Sequence, residues 1–369
     1  METTPGSSKD GGQSFSLCGV RSGPKRLFLS LLATALLLLV LEGSSHVILS
    51  CRGEPEKAPD AGPTPATKMV NVFEYDPDLG WRYKPNLAVE DHYGPGLSMT
   101  TNSQGLRATR EYDTAPPEGT YRILCAGDSV TMGFGVDDGD AFPAVMEAST
   151  PGLETINMGC GAYSAGQVYL RYIRDGLAFE TDLLLFNVIG DDFRRMLPKN
   201  RAAGNAPKPI LELRDGEIHA ELMTPPAPEK PSAAVRFLQG LAVSRLLRDL
   251  AASAVEPDAS ERPYSEVSEA MFRDLAARSR KKDQLFAVVY IPTLGETENA
   301  SFILDTWLVE FFASAGIPLV DLRAAFQAHP YAERRTFYLP DGHLSVRGNQ
   351  VVAQALLAAA RDLDPRCPR

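Results

Sequence analysis

Two short clusters in this 369-residue sequence carry residue types able to do acyl chemistry. Gly127-Asp128-Ser129 directly follows an apolar run, and Asp341-Gly342-His343 lies far downstream. A serine hydroxyl is a poor nucleophile until a base takes its proton. Imidazole is that base near neutral pH, and a carboxylate fixes its tautomer and stabilises the imidazolium. Asp341 and His343, two residues apart, can supply both from one loop. Taken singly, each cluster is also an ordinary turn, with an aspartate as cap. The sequence has 5 histidines. His46 falls in an apolar N-terminal run, His92 in an early extended stretch, His219 on an expected hairpin and His329 before a proline. Only His343 follows a carboxylate by two residues on an expected strand-end loop. The serine is not in a G-x-S-x-G elbow, so an ordinary α/β-hydrolase is not indicated. No Gly-rich phosphate loop and no C-x-x-C pair occurs, so neither a nucleotide, a metal nor any other cofactor is implied.

Elements must position these clusters. From Tyr121 onward, strand and helix patterns alternate. Strands are expected over 121–126, 154–158, 182–189, 285–291 and 317–321. Helices are expected over 141–148, 165–178, 235–252, 265–280, 301–315 and 346–362. Leu183-Leu184-Leu185-Phe186 and Phe286-Ala287-Val288-Val289 are apolar on both faces, as central parallel strands are. The alternation predicts an α/β fold, a three-layer α/β/α sandwich around a five-stranded, mainly parallel sheet. An insertion is expected over 194–262, with a hairpin at 210–222 turning at Asp215-Gly216 and a Pro-rich stretch after it. Trp81, Trp307, Phe311 and Phe312 read as core. Cys125 and Cys160, on strands expected to be neighbours, are either a pair or two small buried thiols.

Hydrophobic content of 44%, charged content of 23% and a net charge of −10 are globular proportions. They exclude wholesale disorder, and the acidic balance argues against nucleic acid as partner. Residues 1–26 read as a disordered cytoplasmic tail. An uncharged apolar run follows Lys25-Arg26, and residues 27–49 read as a transmembrane signal anchor. At about 1.5 Å per residue that stretch can span a bilayer, and the preceding positive charge sends the remainder across it. Two alternatives stay open. One is a cleaved signal peptide with small residues at Ala33-Thr34-Ala35. The other is a lipoprotein acylated at Cys51, after Ile48-Leu49-Ser50. All three place the bulk of the chain outside the cytoplasm. Residues 50–68 read as a linker, 69–119 as a small β-rich lead-in and 120–369 as the main domain.

In order and spacing, the motifs resemble the SGNH (GDSL-type) hydrolase superfamily. Leu124 to Gly133, around Gly127-Asp128-Ser129, is similar to its first block, and Asn157-Met158-Gly159-Cys160-Gly161-Ala162 to its second. Ile189-Gly190-Asp191-Asp192-Phe193 resembles its third, and Leu339-Pro340-Asp341-Gly342-His343-Leu344 its last. The lead-in, with Leu79-Gly80-Trp81-Arg82-Tyr83 and Asn102-Ser103-Gln104-Gly105-Leu106-Arg107, is similar to the prologue of membrane-anchored bacterial members.

The resemblance implies a flavodoxin-like fold with Ser129 as nucleophile, His343 as base and Asp341 as its orienter. It implies an oxyanion hole built from the Ser129 N–H, a backbone N–H at Gly161 or Ala162, and a side-chain amide at position 191. Asp191 departs from that pattern. An amide donates to a developing oxyanion, whereas an ionised carboxylate repels it, and losing one donor costs on the order of 3–4 kcal/mol. Burial could keep a proton on Asp191, or it could simply cap the following turn. The activity implied is that of an extracytoplasmic serine esterase or O-acyltransferase. Its substrate would be an ester-bearing glycan, lipid or small molecule. The alternative is the same fold kept as a weakly active or inactive binding module of an envelope or exopolysaccharide pathway.

Overall fold

The structure, a computed structural model, describes residues 37, 39–48, 71–197, 207–223, 241–244, 264–298 and 306–369. Two units divide the chain: residues 1–59 with 230–256, and residues 60–229 with 257–369. In the first, residues 39–48 are helical. Among the described residues no helix is long and apolar enough to cross a membrane. Residues 27–36, 38 and 49 of the expected span lie outside the described residues, as do the tail, the linker and most of the helix expected at 235–252.

The second unit opens with two antiparallel hairpins, β1 (Phe73–Asp76) with β2 (Gly80–Tyr83) and β3 (Ala88–Gly94) with β4 (Leu97–Thr100). Strand and helix then alternate through β5 (Tyr121–Gly127), α1 (Ser129–Met132), α2 (Phe142–Ala148), β6 (Leu153–Gly159), α3 (Ala165–Arg174), β7 (Leu183–Val188) and α4 (Gly190–Arg194). A hairpin follows, β8 (Lys208–Arg214) with β9 (Glu217–Met223). Its turn residues Asp215 and Gly216 have φ of 51° and 82°, both positive as a type I′ turn requires. The remainder comprises α5 (Ser265–Lys281), β10 (Leu285–Tyr290), α6 (Leu294–Glu298), α7 (Thr306–Ala315), β11 (Leu319–Asp321), α8 (Arg323–Gln327), α9 (Tyr331–Arg334) and α10 (Val346–Leu363).

Strands β5, β6, β7, β10 and β11 form one parallel sheet in the order β11-β10-β7-β5-β6. Side chains alternate across it. Leu124, Ala126, Leu184, Phe186 and Val288 face one apolar layer with Tyr172 of α3, Phe272 of α5 and Phe312 of α7. Ile123, Cys125, Leu185 and Val289 face the other, with Met146 of α2 and Leu356 of α10. This is the expected three-layer sandwich. The strand order switches between β5 and β7, and in such sheets ligands bind at the carboxyl ends of the strands at the switch. Ser129 follows β5 there and α4 follows β7.

Three local expectations change. Helix α3 stops at Arg174 and the chain continues as a 3₁₀ segment, Gly176–Ala178, whose first residue has no room for a Cβ beside the Tyr172 ring. Helices α4, α6, α8 and α9 were not signalled, since runs of four or five residues are too short to show a 3.6-residue period. Cys125 and Cys160 are free thiols in opposite apolar layers, so the sheet separates them and they do not pair. Burial pushes the Cys160 thiol up to about 11.

The lead-in is locked onto the sandwich by buried polar groups. Leu79, Trp81, Tyr83 and Met99 sit in the first apolar layer. The Arg107 side chain is 2% exposed and its Nε meets Asp138 Oδ1 at 2.9 Å. Its guanidinium donates to the carbonyls of Met132 (2.8 Å), Gly133 and Val136 (2.7 Å). In the other direction, Arg171 of α3 donates to Gly105 O at 2.9 Å. Removing a buried cation strands these carbonyls and Asp138. Arg107→Met is therefore expected to lose about 3–5 kcal/mol in chemical denaturation. A loss below about 1 kcal/mol would show that the lead-in is not held this way.

Candidate active site

Ser129 is the first residue of α1, and Asp128 is its N-cap. Asp128 Oδ1 accepts from Val130 N at 2.8 Å, which fixes the turn that carries the serine. The helix end lies tightly on the sheet. A Cβ on Gly159 would stand 2.2 Å from Met132 N, and one on Gly127 would stand 2.0 Å from Thr131 Oγ1. Both positions therefore require glycine. The result holds Ser129 in the crevice with its side chain nearly buried.

The histidine arrives from the loop before α10. A bridge between Tyr338 and Leu344, with Leu339 N donating to His343 O at 2.7 Å, closes that loop. Gly342, at φ 91°, makes its turn. His343 Nε2 lies 3.0 Å from Ser129 Oγ, across 214 residues of sequence. His343 Nδ1 lies 3.1 Å from Asp341 Oδ2. The carboxylate is off the line of the ring N–H, so no aligned hydrogen bond forms at Nδ1. Asp341 is half exposed, with its other oxygen accepting from His343 N at 3.1 Å. It has room to turn, and catalytic hydrogen bonds commonly tighten only in the loaded site. Phe134 packs on the imidazole at a ring separation of 4.4 Å, and Tyr93 of the lead-in packs on Phe134 at 4.9 Å.

The second block supplies the loop beside the serine. Trp81 Nε1 donates to Gly161 O at 2.9 Å, and the Tyr163 hydroxyl donates back to Trp81 O at 2.6 Å. The Gly161 backbone faces the buried Tyr83 hydroxyl, whose ionisation burial pushes well up. Ala162 adopts φ 64°. A helix-start N–H such as that of Ser129 has no partner within its own helix.

Position 191 differs from expectation. Asp191 is 45% exposed and ion-paired with Arg194 and, at 3.9 Å, with Arg195, so it is not a buried acid. The turn of α4 sends the next residue inward instead. Asp192 is fully buried. Its Oδ2 accepts from Ile189 N at 3.0 Å and its Oδ1 from Arg195 Nη1 at 2.8 Å. Arg195 Nη1 also meets Asp128 Oδ2 at 3.0 Å and Tyr163 O at 3.2 Å. Burial, and then the adjacent Asp128 carboxylate, push the Asp192 pKa well up. Lys208 of β8 donates to Arg195 O (2.6 Å) and Leu197 O (2.7 Å), fastening the end of α4. Sequence reasoning missed Asp192 and Arg195. The available signal was their i,i+3 spacing, which places both on one side of a helical turn. Among the described residues no cluster of three or more potential metal ligands occurs.

No protein-family profile matches the chain, and no curated protein matches it. Similar solved structures include a protein assigned to the G-D-S-L lipolytic family from Desulfitobacterium hafniense DCB-2. It is 13% identical, with 64% of this chain and 98% of that one covered, at a TM-score of 0.38. The acetyl xylan esterase AlAXEase is 17% identical over 64% of this chain and 98% of its own, at 0.39. The acetylxylan esterase Axe2 of Geobacillus stearothermophilus is 15% identical over 65% and 94%, at 0.39.

Two outcomes follow from the local geometry. A left-handed conformation costs an L-residue roughly 1–2 kcal/mol, partly offset by the greater chain entropy of glycine. Ala162→Gly is thus expected to stabilise the protein by about 1 kcal/mol in denaturant melts; a destabilised variant would show that the strain is absent. Asp192 holds its proton more tightly folded than unfolded. Its contribution is complete below the ordinary aspartate range and is lost as pH rises through the elevated value. Asp192→Asn should flatten that part of the stability–pH curve, and an unchanged curve would refute the assignment.

Proposed function

We propose that the protein is a serine esterase or O-acyl-transferring enzyme of the SGNH (GDSL-type) class. The observation that carries this reading is the 3.0 Å approach of His343 Nε2 to Ser129 Oγ. It occurs at the switch point of a parallel sheet, with Asp341 beside the far nitrogen of the ring. Ser129 Oγ attacks the ester carbonyl carbon while its proton passes to His343 Nε2. The carbonyl π pair moves onto oxygen, where the Ser129 and Ala162 amides receive it. Collapse re-forms the C=O bond and breaks the bond to the alcohol, which leaves with the proton from Nε2. Water or a second alcohol then repeats the sequence on the acyl-enzyme, with His343 as base again. Hydrolysis and transfer differ only in that acceptor.

The substrate class is an O-acyl ester, with acetylated glycans and envelope lipids the natural candidates outside the cytoplasm. That location rests on Lys25-Arg26 and the uncharged apolar run that follows, which support a membrane anchor at residues 27–49. Wild type is expected to label with a fluorophosphonate probe and to hydrolyse p-nitrophenyl acetate. Ser129→Ala should abolish both, and His343→Ala should lower turnover by at least about 10³-fold. Labelling that persists in Ser129→Ala would sink the nucleophile assignment. A folded wild type that never labels would favour a binding module instead.

A further inference from the structure

We propose that the Arg195 guanidinium supplies the third oxyanion donor, in place of the side-chain amide that position 191 lacks. This rests on the serine-esterase reading above. Arg195 joins the two segments that carry the backbone donors. Its Nη1 contacts Asp128 Oδ2, and that same oxygen lies 3.4 Å from Ser129 Oγ. Nη1 also contacts Tyr163 O, one residue after Ala162. The guanidinium therefore bridges the first and second blocks on the side of the serine where α4 enters. Its Nη2 makes no hydrogen bond among the described residues; the Asp191 carboxylate stands 3.9 Å from it. The side chain is 17% exposed, so Nη2 has N–H groups to offer to an entering carbonyl oxygen.

The electrostatics support a cation there. Arg195 faces two buried carboxylates, Asp128 and Asp192, and the latter tends to hold its proton because of burial and of Asp128. Against the penalty of burial, the neighbouring Asp192 and Asp128 carboxylates hold the Arg195 pKa up, so the developing oxyanion meets a charged donor. Asp191 pairs with Arg194 and also stands 3.9 Å from Arg195 Nη2, at the solvent edge of the site, where its 45% exposure screens it. Lys208 and Asp192 fix the backbone and the guanidinium from behind, which is the preorganisation an oxyanion donor needs. In the reaction, the carbonyl π pair moves onto oxygen and is received by Ser129 N–H, Ala162 N–H and Arg195 Nη2–H; the proton balance at Ser129 and His343 is unchanged.

The test compares p-nitrophenyl acetate turnover in wild type, Arg195→Lys, Arg195→Ala and the double variant Arg195→Met/Asp192→Asn. The last removes the buried Asp192 carboxylate together with the guanidinium that it contacts, should a single replacement fail to fold. Folded variants lacking the guanidinium are expected to lose about 10²–10³-fold in kcat with KM little changed. Millimolar guanidinium should restore part of the rate to Arg195→Ala, a response that a purely structural arginine would not give. A kcat within threefold of wild type in any of these folded variants overturns the proposal, as does a loss confined to KM or the absence of guanidinium rescue. Activity that survives Ser129→Ala would instead defeat the esterase reading, so the two failures are distinct.

Discussion

The helix that carries the serine has only four residues. One helical turn cannot stabilise itself in water, because nucleation costs more than a single hydrogen bond returns. Everything that holds Ser129 in place must come from outside α1. Asp128 caps its start, Gly133 leaves its end in a left-handed conformation, and Arg107 gathers the carbonyls that the end exposes. Below it, Gly127 and Gly159 let the turn sit on the sheet at a distance no side chain would allow. Ser129 is thus held by contacts drawn from the whole unit, and the lead-in supports the candidate site as much as the sheet does.

The second block is held in a similar way. Trp81 and Tyr163 exchange hydrogen bonds across it, and Gln167 of α3 donates to Leu79 O at 2.9 Å. The strained Ala162 amide is kept in its conformation by this surrounding frame rather than by its own preference. Buried polar groups that are fully paired in this way cost little in stability and remove alternative arrangements. Apart from the Arg107–Asp138 pair, Arg107, Arg171 and Trp81 direct their donors to backbone carbonyls of segments that carry or flank the site. They are a scaffold for amide positions rather than a set of surface ion pairs.

Much of this was legible from residue order. The central strands were, because parallel strands covered on both faces read as unbroken apolar runs, and β5, β7 and β10 lie within a residue or two of their expected limits. The Ser129 and His343 loops were legible because strand-end chemistry has a short local grammar. The role of Asp191 stayed open because the rotation of a five-residue helix is not encoded in its composition. Whether residue 191 or 192 points inward depends on where α4 starts, and that depends on the Ile189 hydrogen bond to Asp192. Beyond its i,i+3 spacing from Asp192, nothing local marks Arg195, because its other partners, Asp128 and Tyr163, lie 67 and 32 residues away. The cysteine alternative was open in sequence because neighbouring strands say nothing about faces until the register is known.

Phe134 lies against the face of the His343 imidazole. Turning the imidazole over about its Cβ–Cγ bond would sweep its edges through the space the phenyl ring occupies. Rocking within its own plane would not. The ring can therefore pivot within its own plane beside the serine oxygen, while inversion is sterically opposed. An aromatic neighbour with no acid–base chemistry of its own thus sets the direction in which the imidazole can move.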